Sequence, residues 1–335
     1  RHHQWRMLSA TSMNGTSILI NLVGSVALLL WGVRMVRTGV TRAFGAQFRR
    51  ALGACTRNRF AAFGSGIAVT AVLQSSTATA LMLSSFATRK LIALPVALAA
   101  MLGADVGSTL AAQVFSFNLG WLSPAAITVG VVAFMAGRDE GTKGLGRAAI
   151  GFGLMLLALG LLAAAAAPLR ASSTFAMVLG ALGGEPLLAV LVAALATWLA
   201  HSSLSIVLLI MSLAASGAVP LPLALALVLG ANLGGAAVPL VMQAAAPAAA
   251  RRIPLGNLAM RAVGVALALP ALAYILPWLM LVDPTPARAV INFHSAFNLA
   301  LAAVFLRCLG RVARLGLNFM RDTPAVEELG QPRYL

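Results

Sequence analysis

Charge is scarce in this sequence, negative charge above all. Only 10% of the 335 residues are charged, and only 8 are acidic. With 60% hydrophobic residues and a mean hydropathy of +0.93, the chain has too little polar surface to cover a soluble fold. Cysteine is reduced to Cys55 and Cys308, which leaves no disulfide framework and no metal spacing. Segments of alternating polarity are missing, which argues against a barrel. No Gly-x-Ser-x-Gly element or metal motif occurs. An intramembrane hydrolase would therefore rest on a serine with His201 or His294 as base, and the adjacency of His201 and Ser202 sets no geometry. The expectation is a protein that is not an enzyme and needs no cofactor.

What is present is apolar sequence in long runs. They cover residues 17–33, 60–88, 91–115, 121–136, 148–167, 186–217, 220–242, 253–282 and 289–306. The net charge of +16 could suggest nucleic acid, but the basic residues sit in short connectors, as in cytoplasmic loops of membrane proteins. Residues 34–59 form a basic connector able to lie as a helix along the membrane surface, and 168–185 a mildly polar one. Residues 1–12 are basic and polar, and the leader 1–16 is expected outside the fold. The tail 307–335 is expected on the cytoplasmic side. Trp5, Trp121 and Trp278 read as interface anchors.

Two of the runs are interrupted by polar side chains. Gln74-Ser75-Ser76-Thr77-Ala78-Thr79 lies in one, and His201-Ser202-Ser203-Leu204-Ser205 in the other, 127 positions later. The same offset relates Thr70 to Thr197, Pro95 to Pro222, Gly103 to Gly230, Asp105 to Asn232 and Gly107 to Gly234. Such a repeat is a transporter signature, with the site between its halves. If each interrupted run is a hairpin that enters and leaves on one side, 19 of the 24 basic residues fall on one side of the membrane. That side should be cytoplasmic. The reading is an all-α polytopic membrane protein, an inverted-repeat secondary transporter with two re-entrant helical hairpins and about six full spans. Repeat 1 would cover 17–145 with hairpin 60–88, and repeat 2 would cover 146–306 with hairpin 186–217.

A hairpin broken at membrane depth exposes the N-terminus of its second half-helix. Unpaired N–H groups and the positive dipole end there favour an anion, and Ser and Thr hydroxyls can cap that end or donate. Half-helix C-termini and Gly-rich segments offer carbonyl oxygens suited to sodium. For one such cluster, helix packing through small residues is the better reading; for two repeat-related clusters, a solute site is. A channel built on opposed hairpins is the other class, and saturable sodium-dependent uptake would separate it from a carrier.

These elements resemble the sodium/phosphate cotransporters of the PNaS type. The resemblance runs from about Gly24 to Leu306 and rests on Thr56-Arg57-Asn58, Gln74 to Thr79, Gly103 to Ser108, Gly230 to Gly235 and Phe293-His294-Ser295-Ala296-Phe297-Asn298. It implies phosphate, or a similar small anion, bound at Gln74, Ser75, Ser76, Thr77, His201, Ser202 and Ser203. It implies sodium as coupling ion near Thr79, Asp105, Ser108, Ser205 and Asn232. His294 and Asn298, four apart on one helix face, are read as supporting the hairpins, and Arg261 as a further supporting residue. A multi-pass protein of the inner (plasma) membrane, able to form a homo-oligomer, is expected.

The chain departs from the family's pattern where His201 replaces a glutamine, Asp105 an asparagine and Gly235 a threonine. An Asn257-Leu258-Ala259-Met260-Arg261 run replaces a His–Phe–Asn element. The lost hydroxyls at Leu204 and Gly235 bear on sodium stoichiometry, and Asp105, His201 and Arg261 open the way to another anion or to proton coupling. Asp105 is the only acidic residue deep in a span; it is read as a sodium or proton site, or as the partner of Arg261. Arg261 is read as an anion contact or as a side chain snorkelling to the cytoplasmic face. His201 is read as an anion donor or pH sensor, or as a hydrogen-bonded structural residue.

Overall fold

The computed structural model describes residues 15–54, 58–117 and 119–321. Gly15 and Thr16, expected in the leader, already belong to the first helix, while residues 1–14 with Trp5, together with Thr56, Arg57 and the tail beyond 321, lie outside the described residues. Every regular element within them is helical: α1 (Gly15–Ala54), α2 (Arg59–Leu73), α3 (Ser76–Thr88), α4 (Leu94–Phe115), α5 (Ser123–Ala136), α6 (Glu140–Ala166), α7 (Ser173–Gly184), α8 (Pro186–Ala200), α9 (Ser203–Ala215), α10 (Leu221–Met242), α11 (Ala248–Val282) and α12 (Pro286–Phe319). Short 3₁₀ turns precede α5 and follow α6. Six of the described helices, α1, α4, α6, α10, α11 and α12, are long and apolar enough to cross a membrane. Their outward side chains, among them Leu19, Ile20, Val23, Leu267, Tyr274 and Leu281, are exposed as a lipid-facing surface requires.

The repeat is kept to the residue. Adding 127 to the bounds of α2, α3 and α4 gives those of α8, α9 and α10. Local chemistry explains the matching ends. Ser75 and Ser202 cap α3 and α9, and Leu-Pro opens both α4 and α10, where proline costs no helical hydrogen bond. Glycines set the packing. A Cβ on Gly103 would stand 2.0 Å from the Phe63 carbonyl oxygen, and one on Gly230 would stand 2.2 Å from that of Val190, the repeat mate of Phe63. α4 therefore touches α2, and α10 touches α8, backbone to backbone.

Three expectations are corrected. Residues 17–33 and the basic connector 34–59 are not separate elements up to Ala54: α1 runs unbroken for 40 residues. Leu, Ala and Arg are all strong helix formers, so the helix continues where the apolar run stops. It is held along α6 by a close approach in which a Cβ on Gly39 would stand 2.4 Å from the Gly144 carbonyl oxygen. The connector 168–185 contains α7, which meets α8 at 108°. The run 121–136 forms a helix of 14 residues, about 21 Å against a hydrocarbon core of about 30 Å, and falls outside the six long spans. Trp121 and Trp278 are well exposed, as anchors would be.

Candidate functional site

The two hairpin breaks share one backbone conformation. Gln74 (φ 53°, ψ 31°) and His201 (φ 53°, ψ 27°) both adopt the left-handed region, where neither residue is at ease. The next residue is extended in each case, with φ −151° at Ser75 and −154° at Ser202. Ser75 Oγ accepts from the Ala78 N–H at 3.2 Å, and Ser202 Oγ from the Ser205 N–H at 3.3 Å. Substituting either cap by alanine is expected to cost about 1 kcal/mol, read as a lowered midpoint of thermal unfolding in detergent. An unchanged midpoint in both variants would show that packing alone holds the breaks.

Capping leaves the first-turn N–H groups of Ser76 and Thr77, and of Ser203 and Leu204, without an intrahelical acceptor. The hydroxyls of Ser76, Thr77 and Ser203 are half-buried and make no hydrogen bond among the described residues. Gln74 Oε1 is buried and likewise unpartnered among them. These groups can engage a solute. His201 differs from Gln74 in being exposed, with Nδ1 3.1 Å from the Leu199 carbonyl oxygen.

The other hydroxyls are engaged within the protein. Thr70 and Thr79 share a 2.8 Å hydrogen bond that folds α3 back on α2. In the second hairpin Ile206 stands at the position of Thr79. There Thr197 turns instead to its own helix, at the Ala193 carbonyl, and Ser205 bonds the Ser202 hydroxyl at 2.9 Å. Ser108 Oγ donates to the Asp105 carbonyl oxygen at 2.7 Å.

The second half of each hairpin packs against the other repeat. α3 packs against α10 and α11, and α9 against α4 and α12. At the centre of this packing is a buried polar cluster. Arg261 on α11 points inward, 3% exposed, so it does not snorkel. Its Nη2 lies 2.7 Å from Asp105 Oδ1, and its Nε donates to Asp105 Oδ2 at 3.1 Å. Its Nη1 donates to the Asn232 carbonyl oxygen at 2.6 Å and to Asn232 Oδ1 at 3.1 Å, and Nη2 to Asn298 Oδ1 at 3.2 Å. Asn298 Nδ2 donates onward to Asn232 Oδ1 at 3.0 Å. Asn232 Nδ2 lies 3.0 Å from His294 Nδ1, which must accept, so the ring proton sits on Nε2. Asp105, Asn232, Arg261, His294 and Asn298, scattered over 194 positions, thus form one network.

Two groups of residues have no role in the sequence reading of the site. Asn257 lies one helical turn before Arg261, and its buried Oδ1 has no hydrogen-bond partner among the described residues. Arg288 donates to Gln113 Oε1 at 3.1 Å and to Ser116 Oγ at 2.6 Å, while Gln113 Nε2 donates to Asn292 and Ser295. Nothing in the local sequence signals that second cluster, whose ends lie 182 positions apart. A separate cavity of about 900 Å³ among α7, α10 and α11 is lined mainly by apolar residues such as Phe175, Leu223 and Leu276 and contains none of the site residues.

Comparison with known proteins adds to this geometry. The model of the Na+/Pi-cotransporter family matches residues 28–164 and again 168–306. The chain is 39% identical over 317 residues to the "Putative inorganic phosphate export protein YjbB" of Escherichia coli K12, covering 95% of the chain and 58% of that protein. The protein of the same name from Salmonella typhimurium LT2 is 39% identical over 320 residues, with the same coverage. The uncharacterized protein YqeW of Bacillus subtilis 168 is 26% identical over 289 residues, covering 86% of the chain and 94% of that protein. The chain therefore spans little more than half the length of its YjbB relatives. No solved structure matches it.

Proposed function

Because the chain belongs to the Na+/Pi-cotransporter family, we propose that it carries inorganic phosphate across the cell membrane by alternating access. The observation that carries this reading is the pair of capped half-helix N-termini, α3 and α9, repeated in backbone angle and sequence position. Phosphate would accept from the free N–H and hydroxyl groups of Ser76, Thr77 and Ser203 and from the amide of Gln74. The positive ends of the two half-helices would balance its charge. His201, exposed at the second break, would meet the anion only on one side of the cycle. The basic connectors and the chain from Arg307 onward, whose first part is the end of α12, would face the cytoplasm of a plasma-membrane protein.

The direction is a finer matter. The family's name adds sodium as the coupling ion, and the YjbB name adds export. An inward sodium gradient drives import by symport, so the two readings pull apart. Phosphate transport itself is tested without choosing between them. Proteoliposomes loaded with unlabelled phosphate should accumulate labelled phosphate by exchange. Gln74→Ala and Ser203→Ala should each lower the initial rate at least tenfold, the loss of one charge-assisted contact of about 1.5–3 kcal/mol. No exchange by demonstrably folded wild-type protein would rule out phosphate and leave another small anion as cargo.

A further inference from the structure

We infer that Arg261 is a resident cation: its guanidinium fills, in place of sodium, the oxygen cage between the two repeats, so that the cycle runs without sodium at that position. Five oxygens form the cage: both carboxylate oxygens of Asp105, the backbone and side-chain oxygens of Asn232, and Oδ1 of Asn298, all 2.6–3.2 Å from Arg261 nitrogens. A carboxylate, a main-chain carbonyl and amide oxygens are the hard donors that a monovalent metal cation takes in transporters. Asp105 and Asn232 are the same position in the two repeats, so the cage lies where the repeats meet. The guanidinium comes from outside the matched helices, on α11.

The charge balance allows one cation. Asp105 is the one buried carboxylate among the described residues, and Arg261 already neutralises it. A sodium ion in the same cage would be a second positive charge against a single negative one, away from water. Neutral oxygen remains nearby, since Asn257 Oδ1 is buried without a hydrogen-bond partner among the described residues, but it brings no second negative charge, and the hydroxyls are engaged or missing. The Ser108 hydroxyl donates to the Asp105 carbonyl, and the matching residue in the second repeat is Gly235. Asp105 and Asn232 therefore do not fit a transported sodium while Arg261 is in place. An exporter gains from this, because a cycle uncoupled from an inward sodium gradient is free to run outward. That consequence rests on the phosphate-carrier reading; the cage itself does not.

The test separates the two. Thermal unfolding of the purified full chain in detergent, followed by tryptophan fluorescence, is compared in sodium chloride and in choline chloride at equal ionic strength. Wild type should unfold at the same temperature in both. Arg261→Ala, which empties the cage but keeps Asp105, should be stabilised saturably by sodium by several degrees, and a further Asp105→Asn change should abolish that response. Labelled-phosphate exchange by wild type should differ less than twofold between the two salts. A saturable sodium stabilisation of wild type that disappears in Asp105→Asn would overturn the inference. So would an Arg261→Ala protein indifferent to sodium; wild-type exchange that stops without sodium would overturn the consequence drawn for export, with the coupling ion held outside this cage. If Arg261→Ala does not fold, the wild-type comparison decides alone. If wild type moves no phosphate in either salt, the unfolding comparison still decides whether the cage is filled, and only the transport reading falls.

Discussion

Asp105→Leu is expected to lower stability by about 3–5 kcal/mol, the usual cost of removing one member of a buried ion pair. The change leaves the Arg261 guanidinium, 3% exposed, with neutral oxygens only. Leucine keeps the branched outline of aspartate with larger ends, so none of the loss comes from a cavity. The cost comes from a cation that cannot reach water, since Arg261 stands at the centre of a helix bundle and not near its end. Asp105→Leu/Arg261→Met should recover at least half of the loss, because apolar residues of similar size often replace a buried pair at little cost. Chemical unfolding in micelles, run on both variants beside wild type, measures the difference. Equal losses in the single and double variants would mean that Asn232 and Asn298 hold the guanidinium without help from the carboxylate. Each outcome reports on one quantity, the coupling between α4 and α11 through a contact 156 positions apart in sequence.

That separation marks the limit of what the sequence reveals. The hairpin breaks were legible because they are local: a serine cap, a polar run inside apolar sequence and a Leu-Pro start recur at one offset. The helix pairs of the two repeats consequently match to the residue. Arg261, read from its distance to the nearest loop, could as well have snorkelled. The sequence offered Asp105 as its partner, but only the fold decides for that pair and brings Asn232 and Asn298 to the same guanidinium. The basic stretch after residue 33 misled for a different reason. Hydropathy reports where lipid contact ends, while helix propensity decides where the helix ends, and α1 runs on to Ala54. α7 was hidden in the connector because a short helix with no buried residue leaves little pattern to read. The Arg288 cluster joins α4 to α12 through polar groups that no repeat or motif marks.

The repeat also allows a prediction in which the sign of the effect distinguishes packing from propensity. Gly103→Ala is expected to destabilise by about 3 kcal/mol or more, the upper part of the range for overpacking, and Gly230→Ala by a similar amount. The new methyl would stand 2.0 Å from the Phe63 carbonyl oxygen in one case and 2.2 Å from that of Val190 in the other. Both obstacles are main chain, so no side chain can turn aside. α4 must leave α2, or α10 must leave α8, and each separation displaces the half-helix that ends at Gln74 or His201. Gly24→Ala and Gly160→Ala provide the contrast. A Cβ at either position meets nothing within 4 Å, and alanine inside a helix is favoured over glycine by about 1 kcal/mol. Those two variants should be as stable as wild type or more so. Unfolding midpoints for all four, with phosphate exchange for the two that fold normally, complete the comparison. Stable Gly103→Ala and Gly230→Ala proteins would refute the backbone contact between the paired helices. Loss at only one of the two would mean that the repeats, alike in sequence position, are held together by different forces. A matched loss at both ties the position of each hairpin break to a single missing methyl group, placed 127 residues apart in the two halves.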